Sequence, residues 1–327
     1  MLWPARETMR VRALVCMLAA GVVLVLGACA SGPPPAPVKA AAAPAQQHAL
    51  VYPDVKTVSN LSYGTAGGQD LLLDVCLPSD AAGTHRPAII GVHGGSWKGG
   101  DKANQSWVGI CRWLASEGFV TVSVNYRLVP AARFPAQIVD VRAAVRWLRE
   151  PAQVARFGID PSRIGAIGGS AGGNLVALLG TEGSGPWDVG SRVAAVADLS
   201  GPVDLTAAGV ATTDFQAVQL AYLGCASYAS CPAARAASPV YQVDATDPPF
   251  FIAHSLHEYI PLQQSEELVT ALRQHGVHTT FVTKPGTLHA VAMLDDSLRA
   301  EIAAFFHATL DDADQQVSNA SGALATG

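Results

Sequence analysis

One short motif in this sequence carries residue types that could perform nucleophilic chemistry. Residues 168–173 read Gly-Gly-Ser-Ala-Gly-Gly, so Ser170 lies in a Gly-x-Ser-x-Gly pattern between the apolar stretches 164–167 and 174–179. A serine on a sharp turn between a strand and a helix projects its hydroxyl beside the helix N-terminus, whose dipole favours developing negative charge. Plain glycine turns also produce this pattern in a chain with 31 glycines. The predicted strand–turn–helix context favours Ser170 as a nucleophile.

A second glycine-rich motif follows another apolar run. Residues 93–97 read His-Gly-Gly-Ser-Trp, directly after the run 88–92. Acyl transfer requires backbone N–H groups that point at the tetrahedral oxyanion, and glycine exposes such groups without crowding the substrate. A phosphate-binding loop is the alternative, but no Lys-Ser/Thr pair follows and no Gly-x-Gly-x-x-Gly helix start is present. The two motifs together favour acyl-transfer chemistry.

The elements that must position these motifs alternate along the chain. Short apolar runs predict strands at 71–75, 88–93, 120–124, 164–167, 194–197, 250–253 and 279–282. Amphipathic spacing predicts helices at 104–116, 136–148, 263–274 and 295–310. This alternation predicts an α/β fold, with a doubly wound, mostly parallel sheet that is buried on both faces. The segment 202–240 breaks the alternation, and we expect it to form a small cap over one end of the sheet.

The chain resembles the α/β-hydrolase superfamily, in its esterase branch related to hormone-sensitive lipase and bacterial carboxylesterases. The stretches that carry the resemblance are His-Gly-Gly-Ser-Trp at 93–97, Asn-Tyr-Arg-Leu at 125–128, Gly-Gly-Ser-Ala-Gly-Gly at 168–173 and Pro-Pro-Phe at 248–250. By this resemblance the oxyanion donors are the backbone N–H groups of Gly95, Ser96 and Ala171. His93 is then expected to orient the loop. Ser96 stands where many relatives have a third glycine.

The resemblance also indicates where the catalytic base should lie. In this fold the chain order is nucleophile, acid and base, and the histidine follows the last strand. Among the nine histidines of the chain, His289 comes after the predicted strand 279–282 and before the last predicted helix. We therefore expect His289 to be the base.

The acid is less clearly marked. In relatives it is an aspartate four residues before a proline, after the strand that precedes the penultimate helix. The corresponding stretch here, 254–261, contains one carboxylate, Glu258, three residues before Pro261. The longer glutamate side chain could recover the reach that a shorter loop removes. Two alternatives stay open: Glu258 is a surface residue, or Asp204, at a position that some hydrolases of this fold use, is the acid.

The N-terminal segment has the features of an export signal. Three arginines, at positions 6, 10 and 12, precede the uncharged run 13–26, and Cys29 follows shortly after it. Residues 26–29, Leu-Gly-Ala-Cys, resemble a bacterial lipobox, in which the cysteine becomes the lipidated first residue. We expect a signal peptide over 1–28 and an exported protein, anchored to a membrane of the cell envelope only through a lipid on Cys29. An ordinary secretion signal is the alternative.

The rest of the chain divides by composition. An Ala/Pro-rich tether is predicted at 29–50, an α/β-hydrolase domain at 51–312 and a disordered tail at 313–327. Cys225 and Cys231 flank a short polar loop and are predicted to form a disulfide, whereas Cys76 and Cys111 could each be a free thiol or half of a bridge. No cysteine–histidine pattern with zinc spacing occurs, so we predict no structural metal.

Composition narrows the classes of function. The chain has 327 residues, 50% of them hydrophobic, with 21 basic and 26 acidic side chains and a net charge of −5. A nucleic-acid partner is not expected, because phosphate binding requires a clustered basic surface. We expect a serine carboxylesterase that hydrolyses short- to medium-chain esters of small molecules without a cofactor. The alternatives are an arylformamidase-like amide hydrolase, which the export signal disfavours, and a hydrolase fold that only binds ligands.

Overall fold

The computed structural model describes residues 52–79, 85–209 and 213–311. The predicted signal peptide, Cys29, the tether and the tail lie outside the described residues. Within the described residues, strands run over Lys56–Ala66 (β1), Gln69–Leu77 (β2), Arg86–Val92 (β3), Val120–Val124 (β4), Ile159–Gly169 (β5), Ala195–Leu199 (β6), Phe250–Ser255 (β7) and Thr279–Lys284 (β8). Helices run over Gln105–Ser116 (α1), Ala136–Leu148 (α2), Pro151–Phe157 (α3), Ala171–Thr181 (α4), Thr213–Leu223 (α5), Pro232–Ala236 (α6), Leu262–Gln274 (α7) and Asp296–Leu310 (α8).

The strands form one mostly parallel sheet in the order β1-β2-β4-β3-β5-β6-β7-β8. Strands β3 to β8 pair in parallel, while β1 with β2 and β2 with β4 pair antiparallel. β5 lies between β3 and β6, so the turn that contains Ser170 leaves the sheet near its centre. The predicted fold class is confirmed.

Both faces of the sheet are covered, which explains the continuous apolar runs. Every residue of β4, β6 and β7 is buried. Helices α1 and α8 contribute to the apolar cluster on one face. Helices α2, α4 and α7 contribute to the larger cluster on the other. This is the doubly wound arrangement that the alternation of elements predicts.

Apart from the helices α5 and α6 of the cap segment, two elements were not predicted from the sequence. β1 is an edge strand in which only Tyr63 is buried, so its sequence has no apolar alternation of its own. It is held by its antiparallel pairing with β2. The seven-residue helix α3 buries only Phe157 and is too short to show an amphipathic pattern.

The segment 202–240 packs against the glycine-rich loop after β3. Tyr222 in α5 stacks on Trp97, with ring centroids 4.1 Å apart and an interplanar angle of 4°. The backbone N–H of Phe134 donates to the carbonyl of Tyr222 at 2.9 Å. The segment therefore lies at the carboxyl edge of the sheet, as expected for a small cap.

Two disulfides link the described residues. Cys225 and Cys231 are joined across their short loop, as the sequence predicts. Cys76 in β2 is joined to Cys111 in α1, which resolves the alternative left open for these two residues. By chain entropy, a bridge across 35 residues stabilises the folded state by about 4 kcal/mol. No helix among the described residues is both long and apolar enough to cross a membrane.

Candidate active site

Ser170 occupies a strained turn between β5 and α4. Its backbone angles are φ 58° and ψ −124°, in a region that residues with a side chain rarely adopt. Such strain costs on the order of 1–3 kcal/mol and persists only where surrounding contacts hold it. Here the N–H of Ser170 donates to the carbonyl of Leu199 at 2.9 Å, and the N–H of Asn174 donates to the carbonyl of Ser170 at 3.0 Å.

Glycines around this turn permit a close approach to the end of β3. A Cβ atom at Gly172 would lie 2.0 Å from the carbonyl oxygen of Val92. A Cβ atom at Gly94 would lie 2.7 Å from the carbonyl oxygen of Gly169 and 3.1 Å from the Cβ atom of Ser170. Only glycine fits at either position. The His-Gly-Gly loop therefore lies directly beside the serine.

The loop 95–97 has an unusual backbone. Gly95, Ser96 and Trp97 have positive φ values of 117°, 56° and 56°. The carbonyl of Gly95 accepts hydrogen bonds from the N–H groups of Lys98 and Gly99, which closes a tight turn. The left-handed φ of Ser96 explains why glycine suits this position in relatives. Ala171, the third expected donor, begins α4, so its N–H has no acceptor within the helix.

His93 is buried beneath this loop. Its ring stacks on Tyr126 with centroids 4.4 Å apart, and the Tyr126 hydroxyl donates to the His93 carbonyl at 2.8 Å. Burial lowers the pKa of His93, which favours the neutral ring. The buried ring therefore supports the loop from below.

The structure brings Glu258 and His289 together. Oε2 of Glu258 contacts Nδ1 of His289. The Glu258 side chain is fully buried, while 20% of the His289 side chain is exposed. Oε1 of Glu258 accepts a hydrogen bond from the Ser200 hydroxyl and a longer one, 3.4 Å, from the N–H of Ser255. Glu258 is therefore a buried, hydrogen-bonded carboxylate and not a surface residue.

Asp204 lies elsewhere and binds other groups. Its Oδ1 accepts a hydrogen bond from the N–H of Thr206 at 2.8 Å, and its Oδ2 accepts one from the Tyr241 hydroxyl at 3.1 Å. The N–H of Asp204 itself donates to Oε1 of Gln264 at 2.8 Å. These contacts stabilise a turn in the segment 202–240. The carboxylate that faces His289 is that of Glu258.

A second histidine supports the loop that carries Glu258. His254 is fully buried, with its Nε2 atom 3.0 Å from the carbonyl oxygen of Ile260 and its Nδ1 atom 2.8 Å from the Ser265 hydroxyl. A carbonyl oxygen only accepts, so Nε2 carries the proton and Nδ1 accepts from Ser265. Burial lowers the pKa of His254, which favours this neutral form.

Tyr259 is a site residue that sequence reasoning missed. Its hydroxyl lies 2.7 Å from Nε2 of His289, and the two ring centroids are 4.3 Å apart. Burial raises the pKa of Tyr259, and hydrogen bonding with the Ser170 side chain offsets part of this rise. Tyr259 thus interacts with both the serine and the histidine. The available signal was its position directly after Glu258.

Asp198, at the end of β6, is buried behind the Ser170 turn. Its Oδ1 accepts a hydrogen bond from the N–H of Gly201 at 2.8 Å, and its Oδ2 has no partner among the described residues. Burial raises the pKa of Asp198 to about 7, and the nearby charge of Glu258 acts in the same direction. A neutral carboxyl group is favoured there because a charged one would lack compensation.

The part of the chain that the structure describes contains no cluster of side chains that could bind a metal ion. No group of three or more His, Cys, Asp or Glu side chains there is placed to hold an ion. The groups that the described residues bring to this site are a serine hydroxyl, a histidine–glutamate pair, backbone N–H groups and a tyrosine hydroxyl.

Known proteins resemble this chain in both sequence and structure. Residues 73–272 match the BD-FAE family. The chain is 34% identical to Esterase LipQ of Mycobacterium tuberculosis over 242 residues, which are 71% of this chain and 56% of the relative. It is 30% identical to the probable carboxylic ester hydrolase LipM of the same organism over 264 residues, 77% of this chain and 60% of the relative. The chain thus spans less than two thirds of the length of these relatives.

A solved structure matches nearly over its whole length. It is a truncated form of a carbohydrate esterase from gut microbiota, with a TM-score of 0.68 and 29% sequence identity. The match covers 78% of this chain and 96% of that one.

The buried Asp198 generates a prediction about stability. Its pKa is about 7 in the folded protein against an ordinary value of 3.8, so the folded state binds a proton more tightly than the unfolded state. The free energy of unfolding should therefore fall as the pH rises from about 4 to 7. Asp198→Asn keeps an acceptor for the N–H of Gly201 but cannot ionise. We expect the variant to gain on the order of 2 kcal/mol relative to the wild type between pH 5 and pH 8.

Urea unfolding of both proteins at several pH values measures this difference. Asp54→Asn, at an exposed turn, is a control that should leave the pH dependence unchanged. Parallel stability profiles for the wild type and Asp198→Asn would contradict the buried, proton-binding carboxyl.

Proposed function

The chain belongs to the BD-FAE family of α/β-hydrolase proteins, and from this membership we propose that it is a serine carboxylesterase that forms an acyl-enzyme on Ser170. The observation that carries the proposal is the Glu258–His289 pair, which shares the carboxyl edge of the sheet with the strained turn of Ser170. The names of the relatives, an esterase and a probable carboxylic ester hydrolase, support the same reaction class.

The contact with Glu258 assigns the proton on His289. The carboxylate can only accept, so Nδ1 of His289 carries the proton and Nε2 has the free lone pair. Nε2 is then able to take the proton of the Ser170 hydroxyl as the oxygen attacks the ester carbonyl. The buried Glu258 stabilises the imidazolium that results, and the Ser200 hydroxyl helps to hold the carboxylate in place.

The loop after β3 supplies the oxyanion site in this proposal. The backbone N–H groups of Gly95, Ser96 and Ala171 donate to the oxygen of the tetrahedral intermediate, in which negative charge develops. Nε2 of His289 then returns its proton to the leaving alcohol, and the ester bond breaks. Water, deprotonated by the same nitrogen, releases the acid from Ser170 and completes the turnover.

We propose short- to medium-chain esters as substrates because the cap segment 202–240 is built largely of small residues. The contacts of Glu258 with His289 argue against a hydrolase fold that only binds ligands, since such a protein has no need of a buried acid–base pair. An arylformamidase-like amide hydrolase is the remaining alternative. Parallel assays on an aryl ester and on the anilide of the same acid distinguish the two.

The first prediction concerns the nucleophile. Ser170→Ala should abolish hydrolysis of p-nitrophenyl esters from acetate to decanoate while the protein stays folded, because only a hydroxyl is lost. Removal of a triad member lowers kcat by roughly 10⁴–10⁶. Ser184→Ala, at an exposed loop serine, is the matched control and should keep full activity. A Ser170→Ala rate above about a thousandth of the wild-type rate would show that another group is the nucleophile.

The second prediction concerns the acid. Glu258→Gln keeps the shape of the side chain but removes the charge that stabilises the imidazolium. We expect kcat to fall by roughly 10²–10⁴ with little change in KM. Asp204→Asn should cost much less, because that carboxylate bonds Thr206 and Tyr241. The reverse ranking in steady-state kinetics would transfer the role to Asp204, and losses below about tenfold for both would indicate a Ser–His dyad.

The third prediction concerns attachment to the membrane. We propose that the protein is exported and held at the cell envelope by a lipid on Cys29, on the basis of the sequence at residues 6–29. Cys29→Ser should move the protein from the detergent phase to the aqueous phase in a Triton X-114 partition. Cys16→Ser, within the predicted signal, is the control and should not. A wild-type protein in the aqueous phase, or one without acyl mass on its N-terminus, would refute the anchor.

A further inference from the structure

The position of Tyr259 bears on the part of the substrate that leaves. In acyl transfer, the histidine nitrogen that takes the serine proton later donates it to the leaving-group oxygen. The alcohol oxygen of the ester must therefore come within hydrogen-bond distance of Nε2 of His289. In this structure the oxygen at that distance is the Tyr259 hydroxyl, 2.7 Å from Nε2.

The hydroxyl of Tyr259 can make the same hydrogen bond to His289 as an alcohol would. Because Nδ1 of His289 faces Glu258 and carries the proton, Nε2 accepts and the Tyr259 hydroxyl donates. Burial raises the pKa of Tyr259, so the phenol stays protonated and remains a donor. An alcohol product bound at His289 would make the same hydrogen bond.

Tyr259 is also free on one side. Tyr259 is 53% exposed. Its ring contacts the ring of His289 on one side and the edge of the Phe215 ring, with centroids 6.4 Å apart, on another. A ring with this exposure can move away from Nε2 without disturbing the core. Phe215 belongs to α5 in the cap segment, so the ring lies between the catalytic pair and the cap.

We propose that Tyr259 defines the leaving-group subsite of this enzyme, where its hydroxyl holds the place of the ester's alcohol oxygen until substrate displaces it and its ring then forms one wall for an apolar alcohol group. This inference rests on the proposed esterase function. It adds a specificity-determining residue and a class of alcohol to that function.

The surface around Tyr259 favours an apolar alcohol. Six large apolar side chains are exposed among the described residues, and three of them lie on the two loops that carry Glu258 and His289. These are Leu256 at 40%, Tyr259 at 53% and Leu288 at 58% exposure. Apolar surface next to a reactive site is typical of a binding surface. An aryl or alkyl alcohol would bury it, whereas a polyol would have to give up water for contacts that offer no hydrogen bonds.

The displaced hydrogen bond should cost little. A neutral hydrogen bond contributes modestly because water replaces it, which corresponds to roughly a 2- to 10-fold effect on an equilibrium. The hydrogen bond between Tyr259 and His289 stabilises only the free enzyme, because bound substrate has already displaced the hydroxyl. Breaking this bond therefore weakens substrate binding. The effect should appear in KM and leave kcat unchanged.

The deciding experiment compares esters that differ only in the alcohol. Tyr259→Ala removes the aromatic wall, so we expect the ratio of kcat/KM for benzyl acetate to that for ethyl acetate to fall at least about fivefold. The ratio between p-nitrophenyl hexanoate and p-nitrophenyl acetate, which share an alcohol, should stay within about twofold of the wild-type ratio. Tyr241→Ala, which removes the partly exposed tyrosine bound to Asp204, is the matched control and should leave both ratios unchanged.

Tyr259→Phe isolates the hydroxyl and keeps the ring. We expect kcat/KM to rise roughly 2- to 10-fold for benzyl and ethyl acetate alike, through KM, with the ratio between them unchanged. A fall in kcat would make the hydroxyl part of the chemistry and would overturn its displacement.

The remaining outcomes separate this inference from the proposed function. If wild-type protein hydrolyses esters through Ser170 but Tyr259→Ala keeps the benzyl-to-ethyl ratio, the leaving-group subsite is refuted alone. A larger change in the acyl ratio than in the alcohol ratio would place Tyr259 on the acyl side and refute it as well. If the wild type hydrolyses no ester, the inference and the proposed function fail together.

Discussion

The close approach of the Ser170 turn to the end of β3 is the constraint on which the site depends. Gly172 stands against the carbonyl of Val92, and Gly94 stands against the turn itself, so a single methyl group at either position would push the two segments apart. Their contact places the backbone N–H groups of one loop beside the hydroxyl of the other. It also forces Ser170 into a conformation that no isolated chain would keep. The turn is therefore rigid because of its packing. The strained serine is held between the end of β3 on one side and β6 on the other.

Burial of Glu258 is the second organising feature, because a carboxylate without water must be compensated by its neighbours. His289, Ser200 and the backbone of Ser255 all provide contacts to it. Nε2 of His254 lies 3.3 Å from Oε1 of Glu258 and also donates to the carbonyl of Ile260. These contacts fix the shape of the loop that carries Glu258. The pKa of the neighbouring Asp198 is raised first by burial and also by the charge of Glu258, so a second buried carboxyl is favoured in its neutral form.

Much of this arrangement could be predicted from the sequence, and the failures have physical causes. The central strands are recognisable because burial on both faces produces unbroken apolar runs, and the site residues follow them because parallel strands end at one edge. β1 escapes detection since an exposed edge strand carries no apolar pattern. Spacing favours Glu258 over Asp204 as the acid but does not exclude Asp204, because burial of either side chain depends on how distant loops pack. The role of Tyr259 could not be predicted for a related reason. It depends on the orientation of the ring towards His289, and the spacing of residues along the chain does not determine that orientation.

The bridge between Cys76 and Cys111 has a consequence for where this fold is most stable. It fastens β2, which lies next to the edge strand β1, to helix α1 at a small apolar cluster that includes Val55 and Ala115. A covalent link of this kind can be reduced where the surrounding thiol–disulfide balance is sufficiently reducing. In a reducing medium the same chain would keep its catalytic groups but lose the restraint on its unfolded state. Resistance to heat then depends on the electron donors around the protein as well as on the protein's own contacts.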